Sequence, residues 1–128
     1  MSLSQPQIAL LIPSYNEGER LIHTLTRILE HLATLKQEKF RSAAFQIVVV
    51  DDGSKEPINL AKLPPGSSAE ICLLRHIINL GQGAALQTAM EFAIAHEADF
   101  YVTVDADGQH AHEQMSDLLA PVMAGQAD

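Results

Sequence analysis

Tryptophan is absent from this 128-residue chain, cysteine occurs once, and aromatic residues account for only 5% of it. A lone Cys72 excludes a disulfide within the chain, so stability has to come from packing. Its place in the apolar run Ile71 to Leu74 predicts a small buried thiol. Basic residues are also scarce: eight Lys and Arg stand against sixteen Asp and Glu, a formal net charge of -8. Such a balance argues against a nucleic-acid partner, whose phosphates are neutralised by Lys and Arg. A phosphate-bearing ligand would need positive charge from elsewhere, and a divalent cation is the obvious source. No apolar run reaches the ~20 residues that cross a bilayer, because Lys, Arg, His, Glu or Gly interrupts each candidate. Met1 to Gln7 lack the basic-then-apolar pattern of a secretory signal. They read as a leader or tag-like segment ahead of one domain over 8–128, and a cytoplasmic location is expected.

What the chain does have is 47% hydrophobic residues, enough for a buried core at this length. Ile8 to Ile12, Phe45 to Val50, Ile71 to Leu74 and Phe100 to Val104 are short apolar runs of strand length, rich in Val, Ile and Leu. Between them, Leu21, Leu25, Ile28, Leu29, Leu32 and Leu35 share one helical face, as do Leu86, Ala89, Met90, Ala93 and Ile94. Met115, Leu118, Leu119, Val122 and Met123 repeat that spacing, with Pro121 expected to kink or shorten the helix. Pro57, Pro64, Pro65 and Gly66 mark a loop with at most a short helix over Ile58 to Leu63. Strand alternating with helix predicts an α/β fold, a Rossmann-like half with about four mainly parallel strands flanked by helices. Right-handed crossovers would then gather the loops after each strand along one edge of the sheet, where open α/β folds bind ligands.

Those loops carry the polar residues. Pro13-Ser14-Tyr15-Asn16-Glu17-Gly18 follows the first run, Asp51-Asp52-Gly53-Ser54 the second, and Asp105-Ala106-Asp107-Gly108-Gln109-His110 the fourth. Carboxylates converging on one rim repel one another unless a cation or a hydrogen-bonding ligand compensates. Asp105 and Asp107, two apart on an extended segment, can face one ion, and hard oxygen ligands suit Mg or Mn with positions left open for diphosphate. The same two residues also suit a helix cap and a turn with Gly108, and spacing alone does not separate the readings. Asp52 can accept hydrogen bonds from a base or ribose, or serve as a turn former. Tyr15 is either a planar surface beside a base or a half-buried ring at the sheet edge. Asn79-Leu80-Gly81-Gln82-Gly83-Ala84-Ala85 precedes a helix, where small residues and free N–H groups could cradle a phosphate or merely form a tight turn.

In this order, Ile8 to Gly18 (IALLIPSYNEG), Ile47 to Ser54 (IVVVDDGS), Asn79 to Ala85 (NLGQGAA) and Val102 to His110 (VTVDADGQH) resemble the family-2 glycosyltransferases of the GT-A fold. The similarity extends to the dolichyl-phosphate mannose synthase-like members and covers nearly the whole chain. It implies that Pro13, Tyr15 and Glu17 line a nucleotide pocket, with Asp52 at the base. Gly83, Asp105 and Ala106 belong to the same nucleotide-binding set. It further implies Asp107 as main metal ligand, assisted by Asp105 and Gln109, with Mg or Mn as cofactor. The donor would be a UDP- or GDP-linked sugar, transferred with inversion as an acceptor hydroxyl attacks the anomeric carbon. The metal would neutralise charge on the departing diphosphate.

The chain departs from the family pattern in three places. Gln82 stands where relatives often carry Lys, and Ala111-His112 where a Pro often follows the His. That leaves His110 and His112 close enough to recruit a transition metal, or simply exposed in a loop. Complete members continue through an acceptor-binding half and a general base, expected here beyond Asp128. Catalysis by this segment alone is therefore not expected, while a homo-oligomer and attachment of the full-length protein to the cytoplasmic face of a membrane are. Three rival readings accompany this one. Asp105-Ala106-Asp107-Gly108 matches the start of haloacid-dehalogenase-type phosphatases. Gly81 and Gly83 with Asp105 outline a dinucleotide-binding motif, although Leu86 fills its third glycine position. The last is a non-catalytic nucleotide-binding or interaction module.

Overall fold

The computed structural model describes residues 5–37, 43–63 and 69–104. The elements are β1 (Gln7–Ser14), α1 (Glu19–Gln37), β2 (Ala44–Asp51), a 3-10 turn (Leu60–Lys62), β3 (Ala69–Arg75), α2 (Gln82–Ala95) and β4 (Phe100–Thr103). Every strand pairing is parallel, and the sheet order is β3-β2-β1-β4. This is the α/β architecture the sequence predicts. The expected helix over Met115 to Met123 and the Pro64-Pro65-Gly66 stretch lie outside the described residues.

β1 and β2 occupy the centre because both of their faces are apolar. Ile8, Leu10, Ile12, Ile47 and Val49 pack into a core on the α1 side, whereas Ala9, Leu11, Val48 and Val50 pack into a second core on the α2 side. Strands buried on both faces read as continuous apolar runs rather than alternating ones. α1 meets the first core with Leu21, Leu25, Ile28, Leu29, Leu32 and Leu35, all buried, as its periodicity dictates. The loop between β2 and β3 contributes Ile58, Leu60 and Leu63 to the same side.

Three expectations need correction. The face of α2 that meets the sheet is Ala85, Ala89 and Ala93, while Met90 and Ile94 are exposed. Methyl side chains let the helix settle close to β1 and β2, which turns its larger residues outward. Cys72 is half-buried rather than buried, because among the described residues β3 is an edge strand with a neighbour on one side only. Gln7, counted with the leading segment from sequence, opens β1: its N–H donates to Asp99 Oδ2 at 2.7 Å, and the Pro6 carbonyl accepts from Ala44 N at 2.9 Å. Backbone pairing of this kind requires no side-chain pattern, so hydropathy could not reveal it.

The strand order creates a switch point. From β1 the chain moves by way of α1 to β2 and then β3, and α2 carries it back across the opposite face to β4 on the other side of β1. The strand order therefore reverses between β1 and β4, and the C-terminal end of such a pair is where open α/β sheets take ligands.

Candidate functional site

Three loops meet at that end of the sheet. They are residues 15–18 after β1, 52–59 after β2, and 76–81 after β3. Polar contacts stitch the first two together: Asn16 N donates to Ser54 Oγ at 2.8 Å and Lys55 N donates to Asn16 Oδ1 at 3.1 Å. Asp52 N donates to the Ser14 carbonyl at 2.8 Å, which carries the sheet ladder one residue past β2. Asn16 adopts φ 52°, a left-handed conformation that Asn tolerates better than most residues.

The two adjacent aspartates perform different tasks. Asp51 Oδ1 accepts from Ser54 N at 3.0 Å and closes the turn, with Arg75 Nε 3.7 Å from its other oxygen. Arg75 also donates through Nη2 to the Ser54 carbonyl at 3.0 Å. Asp52 points the other way, into the loop after β3. Its Oδ1 lies 2.8 Å from His76 Nδ1 and accepts from Leu80 N at 2.9 Å. Its Oδ2 accepts from Asn79 Nδ2 at 3.0 Å and from Gly81 N at 2.8 Å. Burial pushes the Asp52 carboxyl up, but the Leu80 N–H, the His76 ring and the Gly81 N–H together outweigh it and hold it below its ordinary value of 3.8.

Gly53 makes this clasp sterically feasible. Its φ is +76°, and a Cβ there would lie 2.5 Å from Asn79 N and from the Ile78 carbonyl carbon. The backbone of the loop after β3 thus runs directly against Gly53, and no side chain fits between them. Gly81, with φ +104°, is the N-cap of α2, so the Asp52 carboxylate lies at the positive end of that helix.

The structure brings Pro13, Tyr15, Glu17, Asp52 and Gly83 to one end of the sheet. Pro13 is buried beside Val50 in the β1–β2 ladder, and Tyr15 is exposed. Glu17 pairs with Arg20 at 3.1 Å, yet its Oε2 has no aligned donor. Gly83 lies in the first turn of α2, with open space where a Cβ would stand. Asp105, Ala106, Asp107 and Gln109 lie outside the described residues, as do His110 and His112. Their root is placed, because Val104 N donates to the Leu11 carbonyl at 3.0 Å beside the switch point. Among the described residues no group of three His, Cys, Asp or Glu side chains could hold a metal ion. Asp51 and Asp52 do not suit one, since backbone and side-chain donors already engage their oxygens. His76 and Arg75 were not singled out from sequence, and Ser54 and Asn79 stood in the quoted loops without a role of their own. A histidine directly after a predicted strand, on the rim where the other polar loops gather, was the available signal.

The model of the family described as Glycosyl transferase family 2 matches residues 9–128. The chain belongs to that family. Family membership favours the glycosyltransferase reading over the phosphatase and dinucleotide-binding readings of the same motifs, and the parallel sheet with a helix on each face is its GT-A-like α/β framework. Similar proteins include an uncharacterised protein of Methanocaldococcus jannaschii, 32% identical over 94% of this chain and 44% of its own length. A dolichyl-phosphate beta-glucosyltransferase of Trichomonas vaginalis is 35% identical over 79% of this chain and 30% of its own length. A UDP-N-acetylglucosamine–dolichyl-phosphate N-acetylglucosaminyltransferase of Methanococcus voltae is 28% identical over 91% of this chain and 47% of its own length. The chain thus spans less than half the length of these relatives. No helix among the described residues is long and apolar enough to cross a membrane.

Proposed function

We propose that this family-2 chain forms the nucleoside-diphosphate-sugar-binding part of an inverting glycosyltransferase whose acceptor is a polyprenyl phosphate. The observation that carries the reading is at the end of β1. Ser14 Oγ is buried without a hydrogen-bond partner among the described residues at the strand-order switch, and nearby Glu17 Oε2, also buried, has only its ion pair with Arg20 at 3.1 Å. Buried polar atoms are nearly always satisfied, so an unpartnered hydroxyl beside a carboxylate at a rim of this kind supports a polar ligand there. The names of the Trichomonas and Methanococcus relatives supply the acceptor class.

In this reading Pro13, Tyr15 and Glu17 line the base and ribose side. Gly83 and Ala106 allow the backbone close to the diphosphate, and Asp105 faces the ribose and diphosphate. Asp52 is at the base under a constraint: each of its oxygens already has two protein donors, so a ligand N–H must join or displace one of them. Asp107, with Asp105 and Gln109, would hold Mg or Mn, and a bound cation supplies neutralisation of the leaving diphosphate. The general base belongs to a part of the protein other than these residues.

Calorimetric titration of the 128-residue chain with UDP and GDP in the presence of Mn tests the reading. Heat of binding is expected for one of the two nucleotides, dependent on Mn and lost in Asp107→Asn. A protein that is folded by circular dichroism yet takes up neither nucleotide would leave the non-catalytic interaction module as the better account.

A further inference from the structure

The loop after β3 turns its apolar side chains toward water. Ile77 is 98% exposed, Ile78 63% and Leu80 58%. A single exposed Ile or Leu needs no explanation, but three within four consecutive positions form a patch. The loop is also held in this pose from beneath. His76 N donates to the Asp51 carbonyl at 2.9 Å, and Leu80 N and Gly81 N donate to the Asp52 carboxylate at 2.9 and 2.8 Å. Asn79 Nδ2 donates to Asp52 Oδ2 at 3.0 Å and to the Asp52 carbonyl at 3.2 Å, and the Ile78–Asn79 peptide runs against Gly53. Backbone and polar side chains thus anchor the loop to the protein, while its apolar side chains form an outward tip.

The size and charge of the tip decide what fits it. A second copy of the chain or another protein needs about 800 Å² of surface on each side for a stable interface, and three side chains on one short loop fall well short of that. Met90 and Ile94 do not extend the tip, since they lie at least about two turns further along α2. A lipid surface requires no complementary shape and accepts a narrow apolar tip at the boundary between headgroups and acyl chains. Asp51 and Asp52 are buried, and the other charged side chains in this pair of loops are the half-exposed Arg75, shared with Asp51, and the exposed Lys55 and Glu56. The tip is therefore close to neutral. Because the chain carries a formal charge of -8, an anionic surface would repel it, so affinity for lipid has to come from the apolar side chains.

We propose that Ile77, Ile78 and Leu80 form a membrane-docking tip that seats the nucleotide-binding rim on the surface of a lipid bilayer. The proposal rests on the reading above of a polyprenyl-phosphate acceptor and names the surface on which that site works. Such an acceptor keeps its hydrocarbon chain within the bilayer and presents its phosphate at the surface, so the rim has to reach that boundary. The loop leads directly into Gly81 and Gly83 at the start of α2, and a tip seated in lipid brings them there with it.

The chain has no tryptophan, so Ile77→Trp places a single reporter at the tip. The 128-residue variant is mixed with vesicles of phosphatidylcholine, alone or with phosphatidylglycerol, and with vesicles whose acyl chains are brominated. A blue shift of the emission, quenching by bromine and reversible binding that persists in high salt are expected. Met90→Trp, on the outer face of α2, should remain unquenched. In flotation of the tryptophan-free chain, the double variant Ile77→Ser, Ile78→Ser should lower partition into vesicles by roughly tenfold or more. Both side chains stand mostly in water, so its melting temperature and its Mn-dependent nucleotide affinity should match the wild type, which separates lost docking from lost folding. A tip reporter that stays in water with every vesicle, binding abolished by high salt, or a double variant that partitions like the wild type overturns the proposal. So does a double variant that loses self-association in sedimentation while the wild type does not float, since the tip then meets a second copy. A chain that docks through the tip yet takes up neither UDP nor GDP keeps this proposal and rejects the nucleotide reading, and a chain that binds nucleotide but no vesicle does the reverse.

Discussion

Asp51 and Asp52 are neighbours with the same side chain, and their surroundings give them different tasks. Asp51 closes its own turn, whereas Asp52 reaches across to four donors on the loop after β3. Because the folded protein holds the Asp52 carboxyl below 3.8, its contribution to stability is complete above that pH and disappears as pH falls through the lowered value. Thermal melts in acid should therefore show a loss of stability below about pH 4. Asp52→Asn should melt lower at neutral pH and show a shallower acid decline. An identical acid limb in the variant would mean that other carboxylates control that region. The Asp-Asp-Gly-Ser string was recognisable from sequence as a polar turn after a strand. The direction in which each carboxylate points depends on a loop more than twenty residues later, and no local pattern encodes it.

Among the elements, α2 shows most clearly where periodicity ran out. Its sequence is apolar around most of its circumference, so the spacing of Leu86, Ala89, Met90, Ala93 and Ile94 could not reveal which side faces the sheet. Packing chose the alanines, because helix and sheet approach most closely over small side chains. Ala89→Leu should accordingly lower stability by about 1–3 kcal/mol through overpacking against β1 and β2. Met90→Ala, on the outer face, should stay within about 0.5 kcal/mol of wild type. Equal effects in chemical denaturation would contradict this orientation of α2. In α1, by contrast, one clean stripe of leucine and isoleucine separates apolar from polar faces, and sequence and structure agree residue by residue.

For the molecule as a whole, the exposed apolar residues matter more than the negative charge. Ile77, Ile78, Leu80, Met90, Ile94 and Tyr101 are all exposed on a chain that spans less than half the length of its relatives. Exposed apolar surface of this kind drives association. Sedimentation of the 128-residue chain is expected to show concentration-dependent self-association, reduced in the double variant Met90→Lys, Ile94→Glu. A monomer at every concentration would show that the charge of -8 is enough to keep copies apart.

The order of apolar runs, the α1 stripe and the placement of polar loops after strands were determined by sequence alone. Each reports a choice between core and water that a residue makes with its near neighbours. Only the tertiary structure decided the β3-β2-β1-β4 order, the alanine face of α2, the need for glycine at position 53 and the bridge from Asp52 through His76 to Thr88. Those features arise where segments distant in the chain meet at contact distance, and whether atoms fit there depends on both partners at once.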